Sequence, residues 1–95
     1  MRLNFPVIRR IVCAACKSKE VTLVSARHWD RVMNIQHSNL YRKIPSSEFE
    51  QGFIDQFGKF HNREEAMLIA LAGGQDIDFK RNGGDSRILY SEGLY

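Results

Sequence analysis

The chain is short of most features that would settle its class at a glance. No apolar run approaches the ~18–20 residues that cross a bilayer, and mean hydropathy is −0.37. The first residues, Met1 to Pro6, carry one early cation and no long apolar core. That sets the expectation of a chain without a secretory leader and of a cytosolic protein. Cysteine occurs only twice, as Cys13-Ala-Ala-Cys16, and no second CxxC exists to complete a zinc site. The surrounding IVCAAC reads as a strand, where residues three apart point to opposite faces. Two small buried cysteines are therefore the better reading than a metal or redox pair. His28, His37 and His61 show no tight ligand spacing. Charge of one sign is also scarce: the net excess is +3, with pI near 9.1. That falls short of the dense basic face a long duplex demands and suits a small anionic ligand better.

What is present is an ordinary globular mixture, 43% hydrophobic and 26% charged, in 95 residues. That length makes one domain, 1–95, with a thin core. Such domains often gain stability by self-association.

Periodicity predicts an α+β fold: a small antiparallel sheet of three or four strands packed with two helices. VIRRIVCAAC (7–16) ends in a run apolar on both faces, expected of a buried strand. KSKE (17–20) is a charged turn, and VTLVSARH (21–28) is β-branched, so the two make an antiparallel hairpin. Residues 29–43 place apolar side chains at helical spacing, at Trp29, Val32, Met33 and Leu40, continuing to Ile44. IPSSEFE (44–50) breaks the pattern. Phe49 to Asp55 predicts a third strand, with Gly52 marking a bulge or a close approach, and Phe60 opens a short fourth. Asn62 followed by Glu65 is a capping box for a second helix. AMLIALA (66–72) is apolar nearly all round and needs cover, from this chain or from a second copy. Gly73-Gly74 ends it. The apolar, aromatic tail is expected to dock on its own sheet or on a neighbour.

Four stretches invite chemistry. QGFIDQFGKFHNREEA (51–66) resembles the start of a Nudix box, but that box needs glutamates one turn apart to hold Mg²⁺. No further carboxylate follows until Asp76, so Glu64 and Glu65 are explained by the cap and the helix dipole. SARHWD (25–30) sets Arg27, His28 and Trp29 side by side; Arg27 can pair with a phosphate, or simply face water. Phe53 beside Gly52 can offer a stacking face or be core. KRNGGD (80–85) sets two cations before a Gly-Gly turn whose amides can form an anion nest, or merely turn the chain. No catalytic set, cofactor motif or metal pair stands out.

Taken in order, IVCAAC, SARHWD, EQGFIDQFGKFHNREEA, GGD and LYSEGLY resemble the bacteriophage anti-Thoeris sponge family, the first described class of Thoeris anti-defence proteins. The resemblance covers residues 11 to 95. It implies a phage protein in the host cytoplasm that needs no cofactor. Such a protein binds cyclic ADP-ribose isomers between protomers of a homo-oligomer, a dimer or hexamer, and leaves them intact. Some members also take CBASS cyclic oligonucleotides at a separate site. It assigns ligand-binding roles to Arg27, Phe53, Asn62 and Arg81, with Lys80 an alternative to Arg81. The ribose hydroxyls add the carboxylates Glu64 and Asp85. Arg9 and Arg10 are candidates for the second site on charge alone. Two other readings stay open: a small nucleotide or ADP-ribose hydrolase using Asp55, Glu64 or Asp85, and a protein-binding inhibitor.

Overall fold

The computed structural model describes residues 8–95. Val7, where the expected first strand began, and the stretch read for a leader lie outside them. Four strands form one antiparallel sheet: β1 (Ile11–Lys17), β2 (Thr22–Ser25), β3 (Glu50–Asp55) and β4 (Phe60–Asn62), in the order β2-β1-β3-β4. Two ten-residue helices, α1 (Arg31–Leu40) and α2 (Arg63–Ala72), accompany it. A short α3 (Ser91–Leu94), beyond the two helices expected, closes the chain.

The strand register explains where the core sits. Ala14 pairs with Phe53, which pairs with His61, while Cys16 pairs with Leu23. Ala14 and Cys16 are two residues apart, so all of these share one face. Both helices pack on that face. Ile11, Ala14 and Phe53 meet Ala66, Met67 and Ala70 of α2, and Leu89 joins them. Cys16 and Leu23 meet Met33 of α1 and Phe49. The other face carries Cys13, Ala15, Val24, Gly52, Ile54 and Phe60, which belong to neither core cluster. Cys13 and Cys16 thus lie on opposite faces, both unbonded. Burial raises the pKa of both thiols, Cys16 to about 11.

The helices bury less than their sequences promise. α1 packs mainly on the edge strand β2, so only Met33 of its stripe is buried. Val32 and Leu40 are exposed, while Trp29 and Ile44 pack partly on the core from outside the helix. The start also moves to Asp30, whose carboxylate caps Met33 N–H at 2.9 Å. Trp29 before it has a left-handed φ of 50°, a conformation that strains a residue of this bulk. In α2, Leu68 and Leu71 face outward and remain exposed.

Side-chain amides close exposed strand edges. Gln36 of α1 accepts from Val24 N–H at 3.1 Å and donates to Val24 O at 2.8 Å. Gln75 does the same for Ile11, at 2.6 and 2.9 Å. Each amide stands in for one residue of a neighbouring strand and blunts an edge that would otherwise be open to pairing.

Gly52 confirms the expected close approach. A Cβ there would collide with the His61 carbonyl and sit 2.5 Å from the Phe60 ring. We expect Gly52→Ala to cost about 1–3 kcal/mol, as overpacking does, read as a lower chemical-denaturation midpoint. An unchanged midpoint would mean that the β3–β4 backbone gives way at His61, and Phe60 swings aside, without loss.

Candidate functional site

The capping box at Asn62 forms as its spacing predicts: Asn62 accepts from Glu65 N–H at 2.8 Å, and Glu65 accepts from Asn62 N–H at 3.2 Å. The box leaves Arg63 as the first helical residue, with its side chain free to turn away from the axis. It reaches the C-terminal segment, donating to Leu89 O at 2.9 Å, and reaches β3, donating to Gln51. Its guanidinium also lies 4.8 Å above the Tyr90 ring. Burial lowers the Arg63 pKa, yet no carboxylate lies within ion-pair distance of it among the described residues. A half-buried cation left unpaired this way favours an anion in its surroundings.

Two hollows flank this stack. The first, ≈ 320 Å³, is lined by Gln51, Asn62, Arg63, Glu64 and Ile88. The second, ≈ 360 Å³, is lined by Arg81, Asn82, Gly83, Asp85, Tyr90 and Glu92. Arg63 borders one and Tyr90 the other, so the stacked pair stands between them. Of the residues expected from the sequence, Asn62 and Glu64 therefore fall at the first hollow, and Arg81 and Asp85 at the second. Lys80 does not line either.

The floor of the second hollow is Asn82, which is fully buried. Its Nδ2 donates to Asp85 O and Ile88 O, both at 2.9 Å, and its Oδ1 accepts from Tyr90 N–H at 2.7 Å. Gly93 packs against it, with no room for a Cβ. Leu89 and Ser91 are buried as well. The motif LYSEGLY is thus explained by docking: it folds around one amide and presents Tyr90 and Glu92 outward.

The remaining expected residues lie elsewhere. Phe53 is fully buried, in a T-shaped contact with His28 at 5.0 Å between ring centroids, and offers no stacking face at the surface of one chain. Arg27 donates to Tyr95 O at 3.0 Å, holding the C-terminal segment. The Gly-Gly turn is closed on itself: Gly83 N–H donates to Lys80 O and Gly84 N–H to Phe79 O. Those amides are spent within the turn, so the nest reading fails. His28 donates from Nε2 to Gly52 O at 2.6 Å, and its buried Nδ1 has no partner. Burial lowers its pKa, so the neutral ring is favoured.

The carboxylates of the hydrolase reading are mostly committed to structure. Asp55 is buried; its Oδ1 accepts from Phe57 N–H at 2.8 Å and Lys59 N–H at 3.0 Å, and its Oδ2 accepts from His61 at 2.7 Å and from Arg9. It has no lone pair to spare for a general-base role. Asp85 Oδ1 accepts from Arg87 N–H at 2.7 Å and Ile88 N–H at 3.0 Å, and these amides lower its pKa. Glu64 is exposed. Among the described residues, no group of three or more His, Cys, Asp or Glu could hold a metal ion, and no helix is long and apolar enough to cross a membrane.

Sequence reasoning missed Arg63, Tyr90 and Asn82. Arg63 reads as an ordinary first-turn residue, and Tyr90 and Asn82 become neighbours only when the tail folds back. What emerges is a small α+β protein with polar concavities gathered where the α2 N-terminus meets its C-terminal segment. The chain belongs to the phage T4 y16D protein family, whose sequence model it matches over residues 10–95. It is thus a member of a phage-protein family. No curated protein and no solved structure matches it.

Proposed function

We propose that this phage-family protein binds and sequesters a cyclic nucleotide immune signal in the groove around Arg63, leaving it chemically intact. The observation that carries the reading is the half-buried Arg63 guanidinium, paired by no carboxylate among the described residues and stacked on Tyr90, between hollows lined by Asn62, Glu64, Arg81 and Asp85. A phosphate or pyrophosphate supplies the missing anion through charge-assisted hydrogen bonds. Tyr90, not the buried Phe53, supplies an aromatic face for a base. Asn62, Glu64 and Asp85 suit ribose hydroxyls. The resemblance to the anti-Thoeris sponge family adds the ligand class, cyclic ADP-ribose isomers or CBASS cyclic oligonucleotides, and the setting, the host cytoplasm during infection. Leu68 and Leu71, exposed on α2, support self-association as part of the same proposal.

One incubation, read twice, tests it. The protein is mixed with cyclic ADP-ribose isomers and, separately, cyclic oligonucleotides; free ligand is quantified after filtration, and the retained protein is then heated. Depletion followed by recovery of intact ligand is expected. Arg63→Ala should weaken binding by roughly ten- to a hundredfold, as loss of a hydrogen bond to a charged group does. Tyr90→Leu, at a more exposed side chain, should weaken it without lowering the melting temperature. New products would replace the sponge with a hydrolase. Failure to deplete any ligand would end the nucleotide reading.

A further inference from the structure

The β3–β4 turn carries a second feature that the groove does not use. Gly58, with φ 79°, makes the turn tight, and Gly58 N–H donates to Asp55 O while Asp55 N–H donates to Lys59 O. The turn thereby lifts Phe57 to the surface, where the residue is 60% exposed. The Arg9 guanidinium lies 5.3 Å from the centroid of that ring. Arg9 is fixed there by its bond to the buried Asp55. Gln56 holds the neighbouring chain at the same end of the sheet, accepting from Arg10 N–H at 2.7 Å and donating to Ile8 O at 2.6 Å. Arg10 and Lys59 are both exposed, and among the described residues neither forms an ion pair. Asp76 lines a hollow with Arg10 but does not pair with it. Three cations and one exposed ring thus share one hairpin end, against Asp55, which is already committed, and Asp76, which lines the hollow beside Arg10.

We propose that this tip, formed by Phe57, Arg9, Arg10 and Lys59, is a docking site for a short linear single strand of nucleic acid. A base stacks on Phe57, extending the arginine–aromatic stack already in place, and Arg10 and Lys59 contact the flanking phosphates. The preformed stack is what selects this partner. An aromatic face backed by a guanidinium accepts any planar base, and cations on either side track a backbone. A duplex hides its base faces. An acidic peptide has no use for the ring, and a lipid surface calls for a broader apolar face than Phe57 and Ile8 supply. The mild net charge of the whole chain is no obstacle, because a strand contacting two or three phosphates needs only the cations gathered here.

The test is fluorescence anisotropy with a short labelled oligothymidylate at several salt concentrations. The strand should bind, with the logarithm of affinity falling against the logarithm of salt at a slope of about −1 to −2, since each single-strand phosphate contact contributes roughly −0.7. Phe57→Ala should weaken binding about tenfold, within the range for one stacked base. Arg10→Glu combined with Lys59→Glu should flatten the salt slope. These side chains are exposed, so a thermal melt of each variant should match the parent. A duplex of equal length should bind more weakly. No binding, binding indifferent to Phe57→Ala, or capture of phosphatidylserine vesicles or cyclic oligonucleotides with no linear strand bound would each overturn the proposal. Repeating the linear-strand and cyclic-oligonucleotide titrations on Arg63→Ala, in which the groove is disabled, keeps the two sites apart, so the groove and the tip stand or fall separately.

Discussion

Asp55→Ala is expected to lower folding stability by about 2–4 kcal/mol, the cost of leaving a buried imidazole and two turn amides without their acceptor. For a domain of this size that is a large part of the total, roughly 5–14 kcal/mol at 0.05–0.15 per residue. The physical reason is the number of groups that rely on one carboxylate. Its Oδ1 accepts two amides of the β3–β4 turn and its Oδ2 accepts from His61 and Arg9. Without it, His61, itself buried, loses its partner, and the turn loses two amide acceptors. Urea unfolding of the variant should show a midpoint far below the parent's, and a loss below about 1 kcal/mol would show that water replaces the carboxylate adequately.

The same group sets an acid limb. Burial works against the Asp55 charge, but the hydrogen bonds from His61, Arg9, Lys59 and Phe57 outweigh it and hold the carboxyl far below the ordinary range. A depressed folded-state pKa contributes stability that is fully present above the unfolded value, 3.8, and is lost as pH falls through and below it. Melts between pH 6 and pH 2 should therefore fall more steeply for the parent than for Asp55→Asn. Parallel curves would assign the acid limb to other groups.

Asn82→Ala is the second large effect, about 2–4 kcal/mol, from leaving buried carbonyls and an amide unsatisfied. The buried amide donates to Asp85 O and Ile88 O and accepts from Tyr90 N–H. Its loss should do more than lower a midpoint. Residues 89–95 should exchange their amide protons faster and become open to protease, because the segment folds around this side chain and around Gly93 packed on it. Asn82→Asp should fail as well, since a carboxylate cannot donate to the two carbonyls. A variant with normal exchange across 89–95 would show that Leu89 burial and the Arg63 and Arg27 contacts hold the segment unaided. The expectation also links this site to the groove: Tyr90 and Glu92 line the second hollow, so ligand binding should weaken with the loss of order.

What the sequence by itself determined is local. The capping box needs only Asn62 and Glu65 three residues apart. The hairpin of β1 and β2, the β3 window ending at Asp55, and the close approach at Gly52 follow from alternation, turn polarity and a missing side chain over a few residues. Opposite faces for Cys13 and Cys16 follow from strand geometry alone. What the tertiary structure decided are the pairings that span the chain. Gln75 closes the edge of β1 at Ile11, 64 residues away. Arg63 reaches Leu89, 26 residues away, and Asn82 gathers a tail it precedes. The sheet topology put Phe53 in the core on the face both helices cover, and left Tyr90 beside Arg63 at the surface. Periodicity reports which side of a strand or helix is apolar, but not which element will come to lie against it. A site assembled from α2 and the C-terminal segment is set by that second choice, and so its central arginine and tyrosine became visible only in the folded chain.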